Sequence, residues 1–162
     1  MNLKIVKFER EHAESCSKII IDNLLYVNSK EYDLDVMKDM ATRFTKEDII
    51  ANNRDRLAFV ALIDGKVVGT GSITNTFSEN KSEFWVLTVF IDYKMHGMKI
   101  GKAIMDYLEN LARELDASKL ILPASLTAHG FYVKLGFDYK DGVKEINAKD
   151  QYMMEKRLRS DK

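Results

Sequence analysis

The chain has 162 residues, one cysteine and 25 basic against 25 acidic side chains, a length suited to one domain that buries about two thirds of its unfolded surface. The balanced charge gives no global attraction to nucleic acid or to an anionic membrane, so any anion site must be local. The lone Cys16 excludes an intrachain disulfide, no His/Cys grouping has zinc-ligand spacing, and no apolar run is long enough to span a bilayer or form the core of a secretory signal. The expectation is a metal-free, cytoplasmic protein of one domain, residues 1–162.

Leu3, Ile5 and Phe8 mark a β-prone opening segment. A helix is expected from about His12 to Val27, with Ala13, Cys16, Ile20, Leu24 and Val27 on one face, which makes Cys16 a small core residue. A second helical region, Asp35 to Asn52, is interrupted near Thr45, where Thr45 and Asp48 have capping spacing. Arg56 to Ile63 and Lys66 to Thr74 read as strands joined by a hairpin turn at Asp64-Gly65. Asn75 to Ser82 is loop-like, and Glu83 to Ile91 is a long strand. The next helix has a buried stripe of Ile100, Ile104, Tyr107, Leu108, Leu111 and Leu115. Lys119 to Leu122 is a short strand, parallel to the previous one if the helix is a crossover. After Pro123 a short helix carries Phe131, Tyr132 and Leu135, ends at Gly136, and leads into strands around Phe137 to Tyr139 and Tyr152 to Leu158. This order predicts an α/β (α+β) mixed sheet covered by helices.

The segment from Thr88 to Glu109 is the most informative, since an apolar strand passes through a glycine-bearing basic loop into an amphipathic helix. Such a junction gathers unpaired backbone N–H groups and the positive end of a helix dipole, and glycine lets an anion approach the main chain. The loop matches neither the P-loop pattern nor the Gly-x-Gly-x-x-Gly of dinucleotide folds. Taken alone it is a generic phosphate cradle, and a nucleotide-binding α/β protein remains one reading.

Three features together resemble the GCN5-related N-acetyltransferase (GNAT) family over nearly the whole chain. Ile91-Asp92-Tyr93 followed by His96 to Gly101 lies in register with the family's Val-x-Pro and Gln/Arg-x-x-Gly-x-Gly/Ala segment. Phe131 to Phe137 matches its Phe/Leu-Tyr-x-x-Leu-Gly-Phe signature, and Asp64-Gly65 stands at its strand 2 to strand 3 turn. The resemblance implies the GNAT acyl-CoA N-acyltransferase fold, with about seven strands and helices on both faces. It also implies transfer of acetyl from acetyl-CoA to a primary amine by direct attack in a ternary complex.

In the family pattern the cofactor lies where strands 4 and 5 splay apart. Val89, Phe90 and Ile91 would then pair with the pantetheine amides. His96, Gly97, Met98, Lys99, Ile100, Gly101 and Lys102 would receive the pyrophosphate, with Lys99 and Lys102 adding charge. Ser125 takes the place of a frequent cofactor-touching Asn. Tyr132 is the implied general acid for the leaving thiolate, in contact with the cofactor, and a backbone N–H near Phe90 or Ile91 would stabilise the oxyanion.

Departures from the pattern are His96 for Gln/Arg, Tyr93 for Pro and Lys99 for the first loop glycine. A lysine is accommodated there if the residue has helical φ and ψ, and that is the expectation. The general base stays open. Glu83 could act through water, Ile121 fills the family's other base position and cannot serve, and His129 and His12 are of a suitable chemical type. Leu25 to Phe44 would wall the acceptor cleft, and its Tyr26, Glu31, Tyr32, Asp33, Asp35 and Asp39 would either attract a cationic amine or form a solvated face. The expected acceptor is a small-molecule or peptide amine, with no nucleic acid or membrane partner and with homodimer formation compatible. The alternative is a non-catalytic acyl-CoA-binding sensor or interaction module of the same fold.

Overall fold

The computed structural model describes residues 2–159. In chain order the elements are β1 (Leu3–Lys7), α1 (Ala13–Tyr26), α2 (Leu34–Ala41), α3 (Lys46–Asn53), β2 (Leu57–Ile63), β3 (Lys66–Thr74) and β4 (Glu83–Ile91), then α4 (Ile100–Glu114), β5 (Lys119–Ser125), α5 (His129–Lys134), β6 (Asp138–Tyr139) and β7 (Gln151–Arg157). Local chemistry explains several boundaries. Thr45 caps α3 through a reciprocal box, its Oγ1 accepting from the Asp48 N–H at 3.2 Å while Asp48 Oδ2 accepts from the Thr45 N–H at 3.0 Å. Asp64 and Gly65 both have positive φ, 51° and 80°, the turn geometry that follows the twist of the flanking strands β2 and β3.

The strands form one seven-stranded sheet in the order β1-β2-β3-β4-β5-β7-β6. Its pairs are antiparallel except β4 with β5, so the mixed sheet expected from the sequence is the observed one. Successive strand residues face opposite sides, and β2 divides accordingly. Ala61 joins the core under α4 and α5, while Val60 joins the core under α1, α2 and α3. Among the described residues no helix is long and apolar enough to cross a membrane.

Helix α4 seats on β3 because β3 carries Gly69 and Gly71 there. A Cβ on Gly71 would stand 2.8 Å from Ile104 Cγ2 and 3.2 Å from Leu108 Cδ1. The buried stripe of α4 is therefore Ile100, Ile104, Met105, Leu108 and Ala112. Tyr107 and Leu115, expected within it, are 38% and 45% exposed. Leu115 is the C-cap beyond the last helical residue, and Tyr107 lies at the edge of the contact with its ring 4.8 Å from that of Phe59.

Strand β5 also differs from expectation, running through Pro123 to Ser125 rather than ending before the proline. The Leu158 N–H donates to the Ser118 carbonyl, which fixes the alternation along the continuous β5/β7 ladder. Pro123 lies at a position whose backbone nitrogen faces away from β7, toward β4, so its missing N–H costs the β7 ladder nothing.

Cys16 is fully buried, and burial pushes its thiol up to about 11 despite a hydrogen bond with the Thr70 side chain. Its folded thiol holds the proton more tightly than the unfolded one. The associated stability is therefore intact below pH 9 and is lost as pH rises toward 11, by about 2–3 kcal/mol. Cys16→Ala should flatten that part of the pH profile in urea unfolding.

Candidate active site

Strands β4 and β5 pair only from Glu83/Lys119 to Trp85/Ile121, then continue without pairing to each other as far as Ile91 and Ser125. Pro123 supplies a cause, since it offers β4 no donor on that edge. On β4 a register shift places Thr88 and Val89 opposite Gly71, and Thr88 has φ 51°, a rare conformation for a β-branched residue. The bulge bends β4 as it leaves β5. Beyond it, the Asp92 N–H donates to the Val68 carbonyl on the β3 side. By alternation the N–H and C=O of Ile91 face the gap, whereas those of Phe90 are turned to β3. Phe90, expected among the residues pairing with the cofactor, thus has its backbone engaged by β3.

The Ile91 carbonyl accepts from Asn23 Nδ2 at 2.7 Å and from His96 Nε2 at 3.1 Å. A carbonyl can only accept, so Nε2 carries the proton on His96. Asn23, on α1 and 4% exposed, gives its other amide proton to the Ile19 carbonyl at 2.9 Å. The Ile91 N–H faces the gap with no partner among the described residues. Sequence reasoning missed Asn23. Its signal was a polar residue three positions after Ile20 and seven after Cys16, on the buried face of α1.

The loop after β4 turns through Gly97, with φ 85°, into the start of α4. The N–H groups of Gly97, Lys99, Ile100, Gly101 and Lys102 make no hydrogen bond to described residues, and the first bond of the helix is from the Ala103 N–H to the Lys99 carbonyl at 3.1 Å. Lys99 corrects the expectation of helical φ and ψ. It is the N-cap of α4 in the left-handed region, φ 64° and ψ 18°. The position calls for a glycine-like backbone, and lysine holds it under strain. Lys99→Gly should raise folding stability by about 0.5–1 kcal/mol, read from the urea midpoint. Lys102 Nζ pairs with Asp106 at 2.7 Å, both exposed, so its charge is shared rather than free. Met98 is exposed beside the loop.

Helix α5 closes the other side. A Cβ on Gly101 would lie 3.1 Å from Phe131 Cζ and 3.6 Å from Ile91 Cγ1, so the end of β4, the start of α4 and α5 meet there. The Tyr132 ring packs edge-on against Phe131 and Phe137, with centroids 5.1 and 5.8 Å away. Tyr132 is 8% exposed, its hydroxyl bonds to no described residue, and burial raises its phenol well above the usual value. Ser125 Oγ accepts from the Ala128 N–H at 3.0 Å, which leaves its proton to donate.

The other candidates lie elsewhere. Glu83 begins β4 at the paired end, with Oε1 3.5 Å from Lys119 Nζ, which also meets Glu155 at 3.3 Å. Burial alone would lower the Lys119 ammonium, but Glu155 and Glu83 outweigh it and the net shift is upward. His129 Nδ1 bonds the Tyr139 hydroxyl at 2.9 Å, and His12 Nδ1 accepts from the Glu9 N–H. On the helical wall Asp33 caps α2 and Asp39 pairs with Arg43. Among the described residues no group of three or more His, Cys, Asp or Glu side chains could hold a metal ion.

A parallel strand pair thus opens beside an anion-ready helix start. The chain belongs to the acetyltransferase (GNAT) family, whose sequence model matches residues 21–137. Solved structures share the fold at low identity. PaiA N-acetyltransferase from Thermoplasma acidophilum, in complex with coenzyme A, is 19% identical with a TM-score of 0.81, covering 98% of this chain and 100% of that one. A GCN5-related N-acetyltransferase from Rhodopseudomonas palustris is 19% identical with a TM-score of 0.80, over 98% and 97%. YncA from Salmonella typhimurium, with acetyl-CoA, is 16% identical with a TM-score of 0.67, over 100% and 97%.

Proposed function

We propose that this protein is a single-domain acetyl-CoA-dependent N-acetyltransferase acting on a small-molecule or peptide amine. The observation that carries the reading is the meeting, around Gly101, of an open strand edge at Ile91, the unpaired N–H groups from Lys99 to Lys102, and α5 with Tyr132. Acetyl-CoA would supply an activated acetyl thioester. The donor run at the start of α4 suits its pyrophosphate, and Lys99 adds a cation with no ion-pair partner among the described residues. The Ile91 N–H suits either a pantetheine carbonyl or the negative charge that develops on the acyl oxygen.

Tyr132 would hold the proton for the departing sulfur. Burial keeps the phenol protonated at neutral pH, the form an acid requires, but makes it a weaker acid than free tyrosine. A thiolate leaving in the same water-poor gap is raised by the same desolvation, which restores the match. Glu83, bound by Lys119, would serve as base only through intervening water. The strained Lys99 and the engaged Glu83 also favour a second reading, a non-catalytic acyl-CoA-binding module.

Free-thiol release from acetyl-CoA across a panel of polyamines, aminoglycosides and lysine- or N-terminal-amine peptides separates the two. Amine-dependent release supports the enzyme. Tight acetyl-CoA binding with no release from any member supports the binding module, and stabilisation by ATP but not by acetyl-CoA overturns both.

A further inference from the structure

Tyr32 lies in the connection between α1 and α2, yet its hydroxyl joins segments far away in sequence. It accepts from the Leu126 N–H at 2.8 Å and donates to the Asp150 carbonyl at 2.7 Å. Both directions are forced, because an amide N–H can only donate and a carbonyl can only accept. Leu126 follows Ser125 in the turn that opens α5, where the Ala128 N–H reaches Ser125 Oγ and the Tyr132 N–H reaches the Ala128 carbonyl at 3.4 Å. Asp150 immediately precedes β7 with φ 56°, and its N–H is held by the Asn147 carbonyl at 3.0 Å. The Tyr32 ring packs against the core of α1, α2 and α3. One phenol thus ties the helical wall to the turn after β5 and to the loop before β7.

We propose that Tyr32 is a positioning residue for acyl transfer, a latch that holds the α1–α2 wall over the acceptor side of the β4–β5 gap and fixes the turn leading from Ser125 to Tyr132. The role rests on the N-acetyltransferase reading. Neither bond survives loss of the oxygen, while the ring contacts do. Partial burial raises the phenol, so both bonds persist across neutral pH. A tie with only a structural role would change stability and leave the kinetics of folded enzyme alone.

Tyr32→Phe tests this in two ways. Amide hydrogen exchange on the free protein should speed up about tenfold at Leu126, while amides in the middle of α4 are unchanged. With an amine active in the thiol-release panel, KM for the amine should rise about tenfold, with the acetyl-CoA Kd within twofold of wild type. Unchanged exchange at Leu126 overturns the latch. Faster exchange with an unchanged amine KM and kcat reduces Tyr32 to a structural tie and overturns the positioning role. Absence of acetyl-CoA binding to the wild type sinks the acetyltransferase reading and the positioning role with it, a result distinct from slow exchange in the variant. Should Tyr32→Phe not fold, the wild type decides: a Leu126 amide as unprotected as that of an exposed loop contradicts the latch, and a protected one supports it.

Discussion

Tyr132→Phe should lower kcat about a hundredfold under chemistry-limited conditions while folding stability stays level. The two halves of this expectation have different causes. The ring fills space between Phe131 and Phe137, and phenylalanine fills it equally. The hydroxyl has no partner among the described residues, so folding gains no hydrogen bond from it. A hydroxyl without a protein partner beside the gap is expected to act on what enters the gap. Single-turnover rates with acetyl-CoA and urea unfolding of the same variant check both halves. Undiminished turnover would remove Tyr132 as the acid, and a large fall in stability would show that the hydroxyl has a structural partner.

Gly71→Val should destabilise the fold by about 3 kcal/mol and weaken acetyl-CoA binding as well. The added Cβ alone would stand 2.8 Å from Ile104 and 3.2 Å from Leu108, both fully buried, and two further methyl groups need still more room. Valine favours the strand conformation, but that preference spans only about 1 kcal/mol and is outweighed. The helix would have to lift from β3, displacing the Ile100 to Lys102 amides from the end of β4. A shifted urea midpoint with an unchanged slope, together with a raised acetyl-CoA Kd, is the expected pair.

Most of the fold was legible because its local signals agree. The bounds of β3 and β4 follow the strand pattern, the Asp64-Gly65 turn sets the register, and Thr45 divides α2 from α3. The sequence also pointed to the loop from His96 to Lys102 and to Tyr132. What escaped depends on long-range geometry. Pro123 reads as a strand terminator until the direction of its nitrogen is known. Tyr107 and Leu115 share the helical period of buried residues, but α4 ends before Leu115 and Tyr107 sits at the edge of the contact against Phe59. Lys99 is the instructive case. A family glycine at that position can mean either close approach to phosphate or a left-handed backbone, and here the backbone is left-handed. Asn23 and Tyr32 act across 68 and 94 residues, distances over which no periodicity carries information.

The most direct test of the central claim is an NMR titration of the labelled protein with acetyl-CoA, following backbone amides. The amides of Ile91, Gly97 and Lys99 to Lys102 should shift together and saturate with one Kd, while those at the paired end of β4 stay in place. Saturable shifts confined to another surface, or none at acetyl-CoA concentrations in the millimolar range, would contradict the assignment of this gap as the acetyl-CoA site.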